Sequence, residues 1–548
     1  MTVADAPALS FSSVPGRWVV AVTVLGSGIA ALDATVVDIA LPAIGREFHV
    51  GVGALQWVMA GYSLALAAFL LIGGSLGDRF GRRRVYLIGV VWFTLASAAC
   101  GFAPTAGFLI ATRVLQGAGA ALLAPGSLAI LEASFVPADR GRAIGAWSGL
   151  SGVAVAAGPL IGGCLISAGS WRWIFFINVP VAAAVVALGA RHVPESRDPG
   201  ATGKIDYAGA AAAVVLLTGV TSAFIEAPAL GWTSPVVLTM AAAAAAGLAA
   251  FLLREHTAAT PMLPLGIFRV RQFAATNAVT LTVYGALAGA TFLLPAELQV
   301  GSGYSPLASG LALLPLTVIM LMLSARSGRL AARIGPRLQM SVGPIVTGAG
   351  LALLTAATNR SGYALHVLPA VIVLALGLAI TDAPLTATAM DSAPAQHSGI
   401  ASAVNNDAAR FGGLLALAAL PPLAGITGAD YTHPDALAAG FRTAVLIAGA
   451  VCAAGGLLAA LTITNPPRVP RPAGAPLPAA CLHCGLEAPP LRTDAGNRPA
   501  PDEHPPVPAV TVASRTSHVA HGRAAAGGPH RGLAAYHNDA RRIRNGIG

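Results

Sequence analysis

Apolar runs of about twenty residues, parted by short polar breaks, repeat along the chain from residue 18 to residue 464. A helix crossing the ~30 Å hydrocarbon core needs about 20 predominantly apolar residues, so each run has the length of a membrane span. The runs predict about fourteen spans near 18–41, 55–76, 85–102, 106–130, 143–166, 173–190, 207–225, 235–253, 274–297, 305–325, 339–357, 364–384, 399–422 and 440–463. After residue 465 the pattern stops and a segment rich in Pro, Ala, Gly, Arg and His follows, a composition that builds no core.

Composition agrees. Of 548 residues, 55% are hydrophobic and only 10% charged, far below the quarter typical of soluble domains. The net charge of +10 would suit a nucleic-acid binder, but its placement says otherwise. Basic residues gather in alternate loops: Arg79 and Arg82–Arg84, Arg140 and Arg142, then Arg191, Arg197 and Lys204. Arg254, Arg269 and Arg271 continue the series, as do Arg326, Arg329, Arg333 and Arg337, while the intervening loops hold Arg46, Arg172, Arg360 and Arg442. The positive-inside rule puts the first set and both termini in the cytoplasm. The basicity is topogenic, and no nucleic-acid partner is expected. Cys100, Cys164 and Cys452 fall within spans as small packing residues, and the lone pair at Cys481 and Cys484 is too little for a metal framework. No nucleotide loop or nucleophile motif marks an enzyme, and no cofactor is expected.

One repeat organises the chain. "GSLGDRFGRR" (74–83) follows the second span and "GRLAARIGPR" (328–337) the tenth, aligning Gly74 with Gly328, Arg79 with Arg333, Gly81 with Gly335 and Arg83 with Arg337. Two six-helix bundles separated by two extra helices place the copies in this relation, a parallel-repeat architecture used by transporters. The chain therefore reads as an all-α polytopic membrane protein. Its expected divisions are a cytoplasmic segment 1–16, a bundle 17–190, a linker 191–206, a two-helix insert 207–255, a bundle 256–464 and a disordered cytoplasmic tail 465–548.

"GGSLGDRFGRRRV" resembles the cytoplasmic loop signature of the major facilitator superfamily. The resemblance implies that Gly74, Asp78, Arg79, Gly81 and Arg82 form a latch closing the cytoplasmic side in the outward-facing state. The second copy has Ala332 in place of the acid. "ATRVLQGAGAA" (111–121) resembles the family's fourth-span signature, in which the intramembrane Arg113 is tied to proton transfer; a purely structural arginine is the alternative. "AVAAGPLIGG" (154–163) resembles the exporters' fifth-span motif, with Gly158, Pro159, Gly162 and Gly163 giving a small, kinked packing face and Ala154 departing from the usual glycine. "WRWIFFINVP", "ELQVGSGYSPLASGLALLP" and "GIASAVNNDAARFGG" are similar to the fourteen-span drug:proton antiporters, with Glu297 and Asp407 as acids those relatives lack.

The first run, "ALDATVVDIALP", carries Asp33 and Asp38, 140° apart in helical phase at about 100° per residue. Asp33 lies deep, matches the family's first-span acid and is expected to couple protons together with Arg113. Asp38 is expected near the outer rim. Glu226, Glu297 and Asp382 are secondary acids, the first two near outer helix ends. The resemblance implies proton-driven export of amphipathic drugs or an antibiotic across the cell membrane by a monomer in the bilayer. The alternatives are a dedicated carrier of one metabolite or osmolyte, or a non-transporting membrane sensor.

Overall fold

In the computed structural model the apolar runs become fourteen helical rods. The structure describes residues 9–197, 206–258, 263–358, 362–393 and 398–465. The described residues all belong to one compact unit. The expected tail beyond Asn465, the Cys481/Cys484 pair, Lys204, Arg360 and half of the linker lie outside the described residues.

The first six rods are α1 Val14–Phe48, α2 Val52–Phe80, α3 Arg82–Gly101, α4 Ala106–Ser134, α5 Pro137–Ala168 and α6 Trp173–His192. The insert is α7 Tyr207–Leu230 and α8 Pro235–Thr257. The last six are α9 Arg271–Gly301, α10 Pro306–Ile334, α11 Pro336–Ala356, α12 Tyr363–Asp391, α13 Ser398–Leu423 and α14 Pro434–Thr462. Thirteen helices among the described residues are long and apolar enough to cross a membrane. The remaining rod, α13, carries Asn405, Asn406, Asp407 and Arg410 in its first half, polar enough to keep it below that standard.

Within the first group α4 packs on α2 and α3, and α1 on α5 and α6. Within the second, α11 packs on α12 and α14, and α9 on α13 and α14. The insert helices pair with each other, and α7 leans on α2 and α13. Large apolar side chains left outward, such as Leu238 and Leu253 on α8 and Leu321 and Met322 on α10, suit a lipid-facing surface.

The internal repeat reappears as one turn built twice. Gly81 ends α2 and starts α3 at φ 111°, and Gly335 ends α10 and starts α11 at φ 89°. These left-handed angles favour glycine. The residues that cap the two turns also correspond. Glu195, just beyond α6, accepts from the backbone N–H groups of Arg83 (3.1 Å) and Arg84 (3.2 Å). Asn465, just beyond α14, accepts from the N–H of Arg337 (3.0 Å). In each half, chain leaving the sixth helix satisfies the open start of the third.

One expectation changes. The first span is expected near 18–41, but α1 runs on through Pro42 to Phe48. Asp38 therefore sits ten residues, about 15 Å, before the helix end and is half-buried. A proline inside a membrane helix is tolerated because neighbouring groups re-satisfy the freed carbonyl.

Candidate functional site

Asp33 and Arg113, expected to work together, form a buried ion pair. Arg113 Nη1 donates to Asp33 Oδ2 at 2.5 Å, with 1% of Asp33 and none of Arg113 exposed. Gln116 Nε2 donates to the other carboxylate oxygen at 2.8 Å, and Asn178 Nδ2 reaches it at 3.5 Å. Arg113 Nη1 also donates to Gln116 Oε1 (2.7 Å) and Nε to the Val58 carbonyl (3.2 Å), while its guanidinium lies 4.3 Å from the Tyr62 ring centroid. The helical spacing of Arg113 and Gln116, three residues apart, puts both on one face of α4 toward α1. Charge pairing, hydrogen bonds and cation–π contact together offset the desolvation of two ions in apolar surroundings.

The network reaches further than the motifs suggest. Asn178 also donates to Ser97 Oγ (3.0 Å), whose hydroxyl donates to the Phe175 carbonyl (2.9 Å). Asn178, Ser97 and Tyr62 were not expected site residues. The legible signal was the single amide in "WRWIFFINVP", a polar side chain with no water to face. Arg113 Nη2 alone in this cluster has no hydrogen-bond partner among the described residues.

The secondary acids do not join this network. Glu226 Oε1 accepts from Trp57 Nε1 at 2.9 Å, tying α7 to α2. Asp382 accepts from the Tyr284 hydroxyl inside the second bundle. Glu297 lies on the last turn of α9, as expected, but is wholly buried, with both carboxylate oxygens lacking a hydrogen-bond partner among the described residues.

The small face of α5 divides its work. Gly158 and Gly162 take α1: a Cβ at Gly158 would collide with Thr35 Oγ1, and one at Gly162 would lie 3.3 Å from Val36. Gly163 takes the other bundle, where a Cβ would lie 2.8 Å from Leu307 Cα on α10. Pro159 has no N–H, so the Val155 carbonyl loses its helical donor; Thr35 Oγ1 stands 3.3 Å from that oxygen.

Every hydrogen bond between the two bundles among the described residues lies on the side opposite the 74–83 loop. Gln56 Nε2 donates to the carbonyls of Leu417 (2.7 Å) and Ala418 (3.1 Å), Gln299 Nε2 to Ile39 (3.0 Å), and Leu307 N–H to Ser167 Oγ (3.3 Å). The loop itself bonds only to its own bundle. Arg82 Nε pairs with Asp78 at 2.8 Å and Arg83 Nε lies 3.7 Å from Glu195. Gly74 packs on Pro125 of α4, at 3.7 Å for a Cβ placed there, and no side-chain hydrogen bond or ion pair among the described residues engages Arg79.

Comparisons with known proteins identify the family. The family model described as Major Facilitator Superfamily matches residues 23–417. The chain is 38% identical over 404 residues to the multidrug resistance protein Stp of Mycobacterium tuberculosis (strain CDC 1551 / Oshkosh), covering 73% of this chain and 74% of that one. It is 37% identical over 422 residues to the tetracenomycin C resistance and export protein of Streptomyces glaucescens, covering 76% and 77%. Its fold matches the crystal structure of the peptide transporter POT in complex with sulfate at a TM-score of 0.61 and 14% identity, over 83% of this chain and 96% of that one. With fourteen helical rods, a repeated turn and a family match over most of its length, the chain belongs to the major facilitator superfamily.

Proposed function

We propose that the protein is a proton-driven antiporter that exports amphipathic drugs or an antibiotic across the cytoplasmic membrane. Relatives named for multidrug resistance and antibiotic export support the direction and the substrate class. The observation that carries the coupling is the buried Asp33–Arg113 pair, with Gln116 and Asn178 holding the carboxylate.

The bundles 17–190 and 256–464 are the moving bodies, one chain is the working unit, and the 74–83 loop faces the cytoplasm. Bonds between the bundles only on the opposite side, among the described residues, support reading this as the inward-open state. The loop waits to latch when that side closes, which accounts for Asp78 and Arg82 pairing within it. Gly163 and Leu307 form the outer seam that must part.

Protonating Asp33 removes one charge of the buried pair and leaves Arg113 with Gln116, the Val58 carbonyl and the Tyr62 face. Breaking a buried pair costs about 3–5 kcal/mol. The proton gradient supplies about 2.3 kcal/mol per charge per 100 mV, and about 1.4 more per pH unit. The two are of one order, so a single protonation can tilt a two-state equilibrium between inward- and outward-facing forms. One proton against one neutral substrate then sustains a gradient of roughly a few hundred-fold.

The test is Asp33→Asn, which keeps the shape and removes the charge. In an efflux-deficient host it abolishes resistance to the compounds the wild type protects against. Reconstituted vesicles loaded with a pH dye lose substrate-driven proton movement. Resistance at wild-type level in the variant would refute the coupling.

A further inference from the structure

A cavity of about 590 Å³ lies where the insert meets both bundles, walled by α2, α7, α9 and α13. It occupies the half of the fold on the 74–83 loop side: Ala213 and Leu216 fall in the first turns of α7, and Leu281 near the start of α9. Its volume lies within the range of about 300–1,000 Å³ that holds drug-sized ligands. The walls are mostly Ala and Leu, with two charges among them: Asp407 and Arg410 of α13.

These residues are three apart, so they share a helix face. Arg410 lies near enough to act electrostatically on Asp407, yet no hydrogen bond or ion pair within 4 Å joins the two or engages either among the described residues. Charges at membrane depth are costly and persist where they serve a ligand or a path. A lone cation in the cavity would meet Asp407 but be opposed by Arg410, and a lone anion the reverse. A ligand with both charges satisfies both groups, and its apolar body fills the rest.

We propose that this cavity is a lateral binding site for a drug-sized zwitterionic solute rather than a bilayer lipid, with the ligand's ammonium on Asp407 and its anionic oxygen on Arg410. The insert then has a function: α7 turns an open seam between the bundles into a walled pocket reached from the bilayer. The inference rests on the export reading for the direction of travel, and on the cavity alone for binding.

The test uses the full chain in phosphatidylglycerol nanodiscs, without a gradient, and three probes sharing one fluorophore. Nε-dansyl-lysine is the zwitterion, dansylcadaverine the cation and dansyl-6-aminohexanoic acid the anion, each corrected for empty discs. The zwitterion binds tightest. Asp407→Asn weakens zwitterion and cation about tenfold or more and spares the anion, while Arg410→Gln weakens zwitterion and anion and spares the cation. Ala213→Trp fills the cavity and removes all three, and Asp407→Glu restores the zwitterion if Asp407→Asn folds poorly. Equal affinity of the three probes, insensitivity to both charge variants, or intact binding in Ala213→Trp would overturn the proposal. So would displacement of the probe by added phosphatidylethanolamine, which would make a bilayer lipid the occupant. Asp33→Asn keeps probe affinity while losing export, so failure of the coupling and failure of the cavity site read out separately.

Discussion

Gly163 of α5 and Leu307 of α10 belong to opposite bundles, and a Cβ on the glycine would sit 2.8 Å from the Leu307 Cα. Backbone meets backbone there, so no side chain can swing aside to make room. Gly163→Val therefore wedges the outer seam open and disfavours the closed form by roughly 1–3 kcal/mol, the usual cost of overpacking. A cysteine placed at Ser167 reacts faster with an impermeant thiol reagent in this variant than in the Gly163 parent, after Cys164 is replaced by Ala. Unchanged labelling would show that the seam does not hold that side shut.

The Asp33–Arg113 pair separates stability from coupling. Asp33→Leu alone leaves a buried guanidinium and lowers stability by about 3–5 kcal/mol. Asp33→Leu with Arg113→Met removes both ions and recovers most of that loss, read as the melting temperature in detergent. Export stays absent in the double variant. Export returning along with stability would make the pair a structural device only.

The Thr35–Gly158 contact predicts a rescue. Gly158→Ala drives a methyl into Thr35 Oγ1, costing about 1–3 kcal/mol in folding or export. Adding Thr35→Ala removes the colliding oxygen and restores part of the loss, though the Val155 carbonyl then lacks the hydroxyl at 3.3 Å. A double variant no better than Gly158→Ala would place the obstruction elsewhere.

The repeated turn predicts paired effects. Gly81→Ala and Gly335→Ala each force an L residue into a left-handed angle, at a cost of about 1–2 kcal/mol. Each also presses a methyl on its capping partner, Glu195 Oε1 at 2.7 Å in the first half and the Asn465 side-chain amide in the second. Both variants lower the melting temperature by similar amounts. A large effect in one half only would mean that the turns are alike in shape and not in importance.

Acid sensitivity has a source at the base of the insert. Burial pushes the Asp206 carboxyl up, but bonds from the Gly209 N–H and the Arg254 guanidinium outweigh it and hold the group below its ordinary value. A lowered native value means its contribution is present above the unfolded value of about 3.9 and is lost as pH falls through the native one. Asp206→Ala, which also removes the α7 N-cap, costs about 0.5–2 kcal/mol at pH 7. Melting temperatures of wild type and variant converge as pH is lowered below about 4. A gap that persists at low pH would assign the effect to packing.

Much of the fold was legible because a membrane imposes length. Runs of about twenty apolar residues had to be helices, and a repeated "G…R…G.R" loop had to sit at corresponding places in two bundles. Helix ends were less legible. The first span reads as ending at 41, yet α1 passes through Pro42, which a membrane helix tolerates where neighbouring groups re-satisfy the freed carbonyl.

For the site, the sequence by itself determined which side chains were too costly to be casual: Asp33 and Arg113, ionisable and deep in apolar runs eighty residues apart. Only the tertiary structure decided that they meet, that Gln116 and Asn178 divide the second carboxylate oxygen between them, and that Asp407 and Arg410 face one cavity unpaired. The reason is physical. Hydrophobic periodicity records how deeply each residue is buried along its own helix, while partners are chosen by the rotation and approach of separate helices, which no single run encodes.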